Sequence, residues 1–421
     1  MSARAIADAA QHAARHMALA STDAKNAALE AMAQRLSAHQ PELVQHNHDD
    51  LERAAESGVP EHLVNRLQFG EAKIASRIRS LRKIAALPDP IGQVIAHSRR
   101  PNGLDAARVR VPLGVLLCIY EARPHVTVNA GAFCLKSGNA CILRGGSEAR
   151  QCNEFLGHLW RESLREAGLP EDSVQVVAVS HEGVDELLGM DGCIDLVIPR
   201  GGKELIRTVA EKSTIPVIKH FEGICHVFID ATADLDKATA IALDSKCLMP
   251  EVCNAMETLL VHEVHRAHLP DLVAAFRDHG VTVRGCAATR KAVPDVAAAT
   301  EDDWRTEYLD MIAAVRVVPD VNAAVDHINQ YGSHHTDAIV TDSARAACVF
   351  REGVDSGVVL ENASTMFCDG ESLGMGAEIG ISTDKIHARG PMGLEDLTSY
   401  KFVIRGSGQT MGDYPRHDGE S

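Results

Sequence analysis

The chain has 421 residues, of which 45% are hydrophobic and 24% charged, and its formal net charge is −16 at pH 7. Such a length predicts two or three domains. The negative charge argues against nucleic acid as a partner, because phosphate backbones attract basic surfaces. No apolar run approaches the ~18 residues that a membrane helix needs, so no membrane association is expected. A small anionic substrate remains compatible, since it requires only a local positive pocket.

Residues 1–100 are predicted to be mostly helical. Alanine, leucine, glutamate, glutamine and arginine dominate there, and apolar residues recur at helical spacing. Residues 1–20 contain Asp8 and other polar residues along their whole length and lack the apolar segment of a secretory signal. Eleven cysteines, none in a C-x-x-C pair, therefore indicate a cytoplasmic location and mostly buried thiols.

Strands and helices alternate from residue 108 onward, which predicts doubly wound parallel sheets in an α/β protein. The first α/β region has strands at 115–120, 140–143, 174–179 and 194–198. A second region begins near residue 250, with strands at 259–261, 281–283, 315–318, 338–340 and 358–360. A late strand at 400–404 could pair with 108–111 or with a strand of another subunit.

Cys253 is the candidate nucleophile. Pro250 suits the first position of a helix, so the pattern predicts that a helix starts there and that Cys253 lies in its first turn. Unpaired N–H groups and the helix dipole would favour a thiolate at that position. A thiolate can attack a carbonyl group and hold the acyl group. The alternative is that Cys253 is merely a small buried apolar residue.

Two glycine pairs, at 145–146 and 201–202, follow predicted strands. Glycine lets the backbone approach a phosphate, and the helix that follows supplies N–H donors. Neither pair matches G-x-G-x-x-G, and either could simply be a tight turn. Two such turns in one parallel sheet favour a nucleotide crevice. Arg144 would suit a 2′-phosphate, which favours NADP over NAD, and Lys203 adds a second positive charge.

Charged residues mark two further candidate regions. Glu121 and Arg123 follow the strand at 115–120, where they either form a loop ion pair or face a ligand. The glycine-rich segment 367–393 carries His387 and Arg389 close to Lys385, and is interpreted as a long functional loop. Three such cations would suit phosphate or carboxylate groups, although a solvated charged loop is the alternative.

Two histidine pairs resemble metal-ligand pairs, but their spacing argues against that role. His262 and His265 have one residue too few between them for an i, i+4 pair. His334 and His335 are adjacent, so they would point to opposite faces of a strand. No metal site is predicted.

Several motifs, taken in order, carry a resemblance that covers nearly the whole chain. They are VPLGV at 111–115, YEARP at 120–124, KSGNA at 136–140, LRGGSEA at 143–149, IPRGGK at 198–203, CNAMET at 253–258, GISTDK at 380–385 and HARGPMGL at 387–394. The chain resembles the gamma-glutamyl phosphate reductase family of the aldehyde dehydrogenase superfamily. The resemblance implies an aldehyde dehydrogenase-like fold with two doubly wound parallel-sheet domains and an oligomerisation strand. It also implies NADPH-dependent reduction of L-glutamyl 5-phosphate to L-glutamate 5-semialdehyde and phosphate, the second step of proline biosynthesis.

The resemblance also suggests roles for individual residues. Cys253 matches the nucleophile, and Asn254 or the N–H of Cys253 would stabilise the oxyanion. His220 stands where oxidising relatives have a glutamate base, and Ala122 falls near the position of their oxyanion asparagine. The expected cofactor-binding residues are Arg144, Gly145, Gly146, Ser147, Gly201, Gly202, Lys203 and Glu307. The expected substrate-binding residues are Glu121, Arg123, His387 and Arg389.

The expected division of the chain is an N-terminal helical region at 1–100, a cofactor domain at 101–249, a catalytic domain at 250–365, and a substrate loop with the oligomerisation strand at 366–421. A homo-oligomer is expected, and an association with glutamate 5-kinase is a further expectation. Two other readings stay open. One is a CoA-dependent or hydrolytic aldehyde dehydrogenase, which the missing glutamate base disfavours in its hydrolytic form. The other is a catalytically silent scaffold.

Overall fold

The computed structural model describes residues 2–413. These residues form two compact units. Unit 1 comprises residues up to 218 together with 375–380 and the residues from 392, and unit 2 comprises 219–374 and 381–391. The helices are α1 (Ala3–Met17), α2 (Thr22–Ala38), α3 (Gln40–Glu56), α4 (Glu61–Leu67), α5 (Glu71–Ala86), α6 (Pro124–Lys136), α7 (Arg150–Glu166), α8 (His181–Leu188), α9 (Lys203–Lys212), α10 (Leu235–Cys247), α11 (Leu269–Asp278), α12 (Ala287–Ala292), α13 (Val321–Tyr331) and α14 (Ala344–Gly353).

The strands follow the alternating pattern predicted from the sequence. They are β1 (Val94–Arg99), β2 (Asp105–Pro112), β3 (Val115–Tyr120), β4 (Ala140–Gly145), β5 (Val174–Val176), β6 (Leu196–Arg200), β7 (Cys225–Ile229), β8 (Met256–His262), β9 (Thr282–Gly285), β10 (Ala297–Ala298), β11 (Ile312–Val318), β12 (Thr336–Val340), β13 (Val358–Glu361), β14 (Gly380–Ser382), β15 (Gly390–Met392) and β16 (Thr398–Arg405). Within residues 2–413, no helix has both the length and the apolar composition that crossing a membrane requires.

Unit 1 is built around a four-stranded parallel sheet in the order β5-β4-β3-β6. Every residue of β3 is buried, as a central strand covered on both faces requires. The apolar side of α1 packs into the same core as β3 and β4. Tyr120 pairs with both Gly145 and Arg200, so the carboxyl ends of β3, β4 and β6 meet at one edge.

A second sheet of unit 1 is antiparallel, in the order β1-β2-β16. Its β16 pairs with β2 in an unbroken register from Thr398↔Pro112 to Arg405↔Asp105. The late strand predicted at 400–404 therefore pairs with the 108–111 segment of its own chain, the first of the two predicted possibilities.

Unit 2 contains a seven-stranded parallel sheet in the order β10-β9-β11-β8-β7-β12-β13. Neighbouring residues of its central strands pack into two separate hydrophobic cores, because side chains alternate between the two faces of a strand. Val227 and Leu259 belong to one core, and Phe228 and Leu260 to the other. Strand β7 and helix α10 belong to this compact unit, which starts at residue 219. The predicted division into a cofactor domain at 101–249 and a catalytic domain at 250–365 stays a prediction.

Candidate functional site

Cys253 lies on an irregular segment, the thiol loop (residues 248–255), which connects α10 to β8. It is half-buried. The loop is a succession of turns, in which the Val252 N–H donates to the Met249 carbonyl and the Ala255 N–H to the Val252 carbonyl. The prediction that a helix starts at Pro250 is wrong, and a helix dipole therefore does not act on the thiol.

Asn254 holds the thiol loop against a neighbouring segment. Its amide nitrogen lies 3.3, 3.3 and 3.2 Å from the carbonyl oxygens of Thr365, Met366 and Cys368. An amide group has two N–H donors, and these carbonyls engage them. The geometry therefore gives Asn254 a bracing role and does not support the predicted oxyanion role.

The backbone of Cys253 is held from the other side by β7 and the residues before it. The Cys225 thiol lies 3.2 Å from the Cys253 carbonyl oxygen. A Cβ atom added to Gly223 would come within 1.7 Å of that same oxygen, so only glycine fits there. The Gly223 N–H donates to Glu307 at 2.7 Å. Glu307, predicted to contact the cofactor ribose, thus contacts the backbone that supports Cys253.

Two imidazole rings accompany the thiol. One nitrogen of His220, one nitrogen of His335 and the Sγ of Cys253 all lie within 4.8 Å of one another. The rings meet edge to face, with centroids 5.6 Å apart. His220 Nδ1 lies 3.0 Å from the Ile381 carbonyl oxygen.

His335 is fully buried, and its Nε2 has no hydrogen-bond partner among the described residues. Burial, reinforced by His220, lowers the pKa of His335 to about 3, so the ring is neutral at physiological pH. The two adjacent histidines diverge, as the sequence predicts, since His334 Nδ1 contacts the Asp355 carbonyl oxygen at 2.6 Å. The sequence does not indicate that His335 lies close to the Cys253 thiol.

A buried ion pair brackets the thiol loop. Lys246, near the end of α10, lies 2.6 Å from Glu257 on β8, and both side chains are buried. Burial raises the pKa of Glu257 to about 7, while the attraction of Lys246 opposes that rise. The Leu309 N–H also donates to Glu257, at 3.2 Å. These contacts fix the loop at both ends.

The predicted substrate cations of unit 2 converge on one carboxylate. Arg389 and Lys385 lie 2.7 and 2.8 Å from the two oxygens of Asp355. Their hydrogen bonds lower the pKa of Asp355 to about 2. His387 is exposed and has a positive φ of 75°. Arg389 is therefore engaged in bracing its loop, and its predicted contact with substrate stays a prediction.

In unit 1, the carboxyl ends of β3, β4 and β6 form the turn edge (residues 121–122, 144–148 and 200–203). The predicted glycine turns meet here, and two carboxylates already accept hydrogen bonds from backbone N–H groups of this edge. Glu121 accepts the Gly202 N–H at 2.8 Å, and Glu148 accepts the Ala122 N–H at 2.5 Å. Glu121 thus caps the start of α9, and its predicted contact with a ligand stays a prediction.

The glycines of the turn edge make room for those carboxylates. A Cβ atom on Gly201 would lie 2.5 Å from the Glu121 carboxylate, and one on Gly146 would lie 2.1 Å from the Glu148 carboxylate. Lys203 is the first residue of α9, and Arg123 immediately precedes α6. The predicted cofactor residues of unit 1 therefore share one edge of one sheet.

Arg144 lines two cavities beside the turn edge, of about 120 and 560 Å³, and Ser147 lines both as well. The Nε of Arg144 is buried without a hydrogen-bond partner among the described residues. The larger cavity is also lined by Arg53 of α3 and His181 of α8. Sequence reasoning missed these two, because the helical pattern of residues 1–100 indicates packing and says nothing about which side chain faces a cavity.

Comparisons with known proteins agree with the predicted resemblance. Residues 1–284 match the model described as the aldehyde dehydrogenase family. Gamma-glutamyl phosphate reductase of Parvibaculum lavamentivorans is 51% identical over 407 residues, covering 96% of each chain. The protein of that name in Geobacter metallireducens is 49% identical over 408 residues, covering 96% of this chain and 98% of its own.

A solved structure confirms the α/β fold. The crystal structure of gamma-glutamyl phosphate reductase from Thermotoga maritima superposes with a TM-score of 0.95 at 43% sequence identity. The match covers 97% of this chain and 100% of that one.

Proposed function

This chain belongs to the aldehyde dehydrogenase family and, within it, to the gamma-glutamyl phosphate reductases, and from this premise we propose that it reduces L-glutamyl 5-phosphate with NADPH. The products are L-glutamate 5-semialdehyde and phosphate, and the reaction is the second step of proline biosynthesis from glutamate. The observation that carries the proposal is Cys253, a half-buried thiol beside two imidazoles on a braced loop.

Cys253 supplies the covalent step. Its thiolate attacks the acyl carbon of the substrate, the C–O bond to phosphate breaks, and a thioester remains on Sγ. When bound, the nicotinamide cofactor supplies the hydride that reduces this acyl group. The tetrahedral alkoxide then collapses, the C–S bond breaks and the semialdehyde leaves. The backbone N–H of Cys253 is the oxyanion donor that we retain, because the Asn254 amide is engaged elsewhere.

The turn edge of unit 1 fits the phosphate groups of a nicotinamide dinucleotide, and the aldehyde dehydrogenase family uses such cofactors. The orphaned Nε of Arg144 is the observation that fits best, since a buried donor without a partner suits an anionic ligand. We assign Arg144 to the 2′-phosphate of NADPH and Lys203 to the pyrophosphate. A pyrophosphate on the Gly202 N–H has to displace the Glu121 carboxylate or bind beside it.

The substrate-binding residues are proposed because their charges complement those of the substrate. Arg123, His387 and Arg389 would hold the phosphate and the carboxylate of a doubly anionic substrate, and Glu121 would face its amino group. Arg389 can do so while Asp355 holds its Nη1, because a guanidinium has five N–H donors.

The antiparallel sheet of unit 1 is proposed as the oligomerisation surface. Tyr400, Phe402 and Ile404 of β16 are 46%, 60% and 58% exposed, and alternation places them on one face. Arg108 lies over both aromatic rings, at 5.0 and 5.4 Å from the centroids. Exposed apolar side chains in a row are typical of a protein interface. The variant Phe402→Glu should lower the mass measured by light scattering.

The function is tested most conveniently in reverse, since acyl phosphates hydrolyse readily in water. The purified chain is mixed with L-glutamate 5-semialdehyde, phosphate and NADP, and NADPH is followed by absorbance. Turnover that requires phosphate supports the proposal. Continuous turnover without phosphate would indicate a hydrolytic aldehyde dehydrogenase, and turnover only with CoA would indicate an acylating one. Absence of turnover under all three conditions would favour the silent scaffold.

A further inference from the structure

We propose that His220 takes the proton of the Cys253 thiol and passes it to the departing phosphate, an inference that rests on the proposed function. Among the described residues, the imidazoles of His220 and His335 are the basic groups grouped with this thiol. Cys253 lies on turns rather than at a helix start. A side chain must therefore take over the activation that a helix dipole would otherwise provide.

The hydrogen bond of His220 sets which of its nitrogens can exchange a proton. The carbonyl oxygen of Ile381, 3.0 Å from Nδ1, can only accept, so Nδ1 carries a hydrogen. In the neutral ring the lone pair is then on Nε2, which is the atom available to accept the thiol proton. The imidazolium that results keeps the same bond to Ile381. His220 can therefore gain and lose a proton without rearranging.

His335 does not serve as the carrier. It is fully buried, and burial lowers its pKa to about 3. Its Nδ1 lies 2.8 Å from the Thr336 hydroxyl and 3.7 Å from the Cys225 thiol. It therefore stays neutral beside His220, which is only half-buried. Other titratable groups lie near the Cys253–His220 pair. On the side of β7 they are Cys225, Cys368 and Asp337. Close to Gly223 they are Glu222 and Glu307, and Lys219 forms an ion pair with Asp384.

The proton transfer balances the reaction. The acyl phosphate carries its phosphoryl group as a dianion, and without a proton it would have to leave as the trianion. His220 takes the proton from Sγ as the C–S bond forms and gives it to the phosphate oxygen as the C–O bond breaks, so HPO₄²⁻ departs. After hydride addition, the collapsing alkoxide releases the thiolate, and a solvent proton restores the starting state. Each turnover thus consumes one hydride and one proton.

Histidine suits this role better than a carboxylate. A carboxylate in its place would add a negative charge next to an anionic substrate, which costs binding energy. An imidazolium instead attracts the phosphate that it protonates. General acid–base catalysis of this kind contributes roughly 10²- to 10⁴-fold to the rate.

The test begins with His220→Asn, because an asparagine amide can keep the donor bond to the Ile381 carbonyl while Nε2 is removed. Alkylation of Cys253 by iodoacetamide is followed by peptide mass spectrometry from pH 5 to 10. We expect the midpoint of the profile to move upward and the rate at pH 7 to fall by roughly 10-fold or more. Turnover of acyl phosphate should fall by roughly 10²-fold or more.

The matched control is His279→Asn. His279 is an exposed histidine at the end of α11, and its Nδ1 also bonds a backbone carbonyl, that of Ala275, at 2.8 Å. This variant should behave like the parent chain in both assays. His335→Asn should change the alkylation midpoint less than His220→Asn does.

An unchanged alkylation profile in His220→Asn would overturn the proposal, and so would a larger shift in His335→Asn. If His220→Asn does not fold, His220→Gln replaces it and is judged by the same midpoint. The alkylation arm needs no substrate. A shifted midpoint in a chain that does not reduce glutamyl phosphate would retain the Cys253–His220 pair and refute the proposed function alone.

Discussion

The thiol loop of unit 2 and the turn edge of unit 1 prepare for chemistry in opposite ways. The turn edge is the end of regular strands, and its backbone N–H groups already hold two carboxylates, Glu121 and Glu148. The thiol loop has no regular structure and is held by side chains and by the close approach of Gly223. Its reactive atom is grouped with the imidazoles of His220 and His335. The first region therefore offers backbone donors together with Arg144 and Lys203 for the proposed binding, whereas the proposed reactivity of the second depends on its side chains.

The largest loss of activity is expected for Cys253→Ala, because no other group can replace the Cys253 thiol in the proposed mechanism. Turnover should fall by at least ~10³-fold, while cofactor binding and thermal unfolding stay near those of the parent chain. Cys247→Ala is the matched control, because Cys247 is a half-buried cysteine just before the same loop. Substantial turnover in Cys253→Ala would refute covalent catalysis.

The bracing of the thiol loop is tested by Gly223→Ala. The added Cβ would collide with the Cys253 carbonyl oxygen, so the loop must shift, and we expect a loss of turnover of roughly 10²-fold. Gly192→Ala is the control, since its Cβ meets nothing within 4 Å and its φ is not positive. Steady-state kinetics at saturating substrate are the measurement. Equal activity in the two variants would mean that the loop tolerates displacement.

At the turn edge, Arg144→Ala should discriminate between the two nicotinamide dinucleotides. Losing a charge-assisted contact to the 2′-phosphate should weaken NADPH binding by roughly 10- to 100-fold, with NADH binding little changed. Dissociation constants from fluorescence titration provide the measurement. An equal loss for both cofactors would show that Arg144 does not contact the 2′-phosphate.

The smallest effect is expected for the loop cations of unit 2. If Arg389 contacts substrate, Arg389→Ala should raise the Michaelis constant for the semialdehyde or for phosphate several-fold, with NADP affinity little changed. Lys385→Ala is the matched variant, since Lys385 pairs with the same Asp355 but is 68% exposed. Should Arg389→Ala only lower the unfolding temperature, as bracing of Asp355 alone would require, the substrate assignment is withdrawn.

The structure of the turn edge can be predicted from its sequence better than the structure of the thiol loop. Strand β3 occupies the predicted residues 115–120, because a continuous apolar run has few alternatives to a strand covered on both faces. The shared edge follows from that, since the ends of parallel strands meet. The sequence does not reveal that Glu121 and Glu148 would turn back onto the glycine turns, because each contact depends on a loop conformation.

The thiol loop was predicted least well for a physical reason. Pro250 is a local signal for a helix start, but the contacts that determine this loop come from Gly223, Cys225 and residues 365–368, all distant in sequence. His335 was missed for a similar reason. Its neighbour His334 has a positive φ of 62°, so the two side chains diverge, and only the fold determines which of them reaches the thiol.

The pairing of β16 with β2 affects how the chain is made. On a ribosome that adds roughly 5–20 residues per second, β2 is synthesised tens of seconds before its partner strand. All seven strands of the unit 2 sheet, from residue 225 to 361, emerge in that interval. Unit 2 can thus complete its sheet during translation, while one edge of β2 waits unpaired and is exposed to aggregation. Ribosome stalling or truncation before residue 398 should therefore harm unit 1 first.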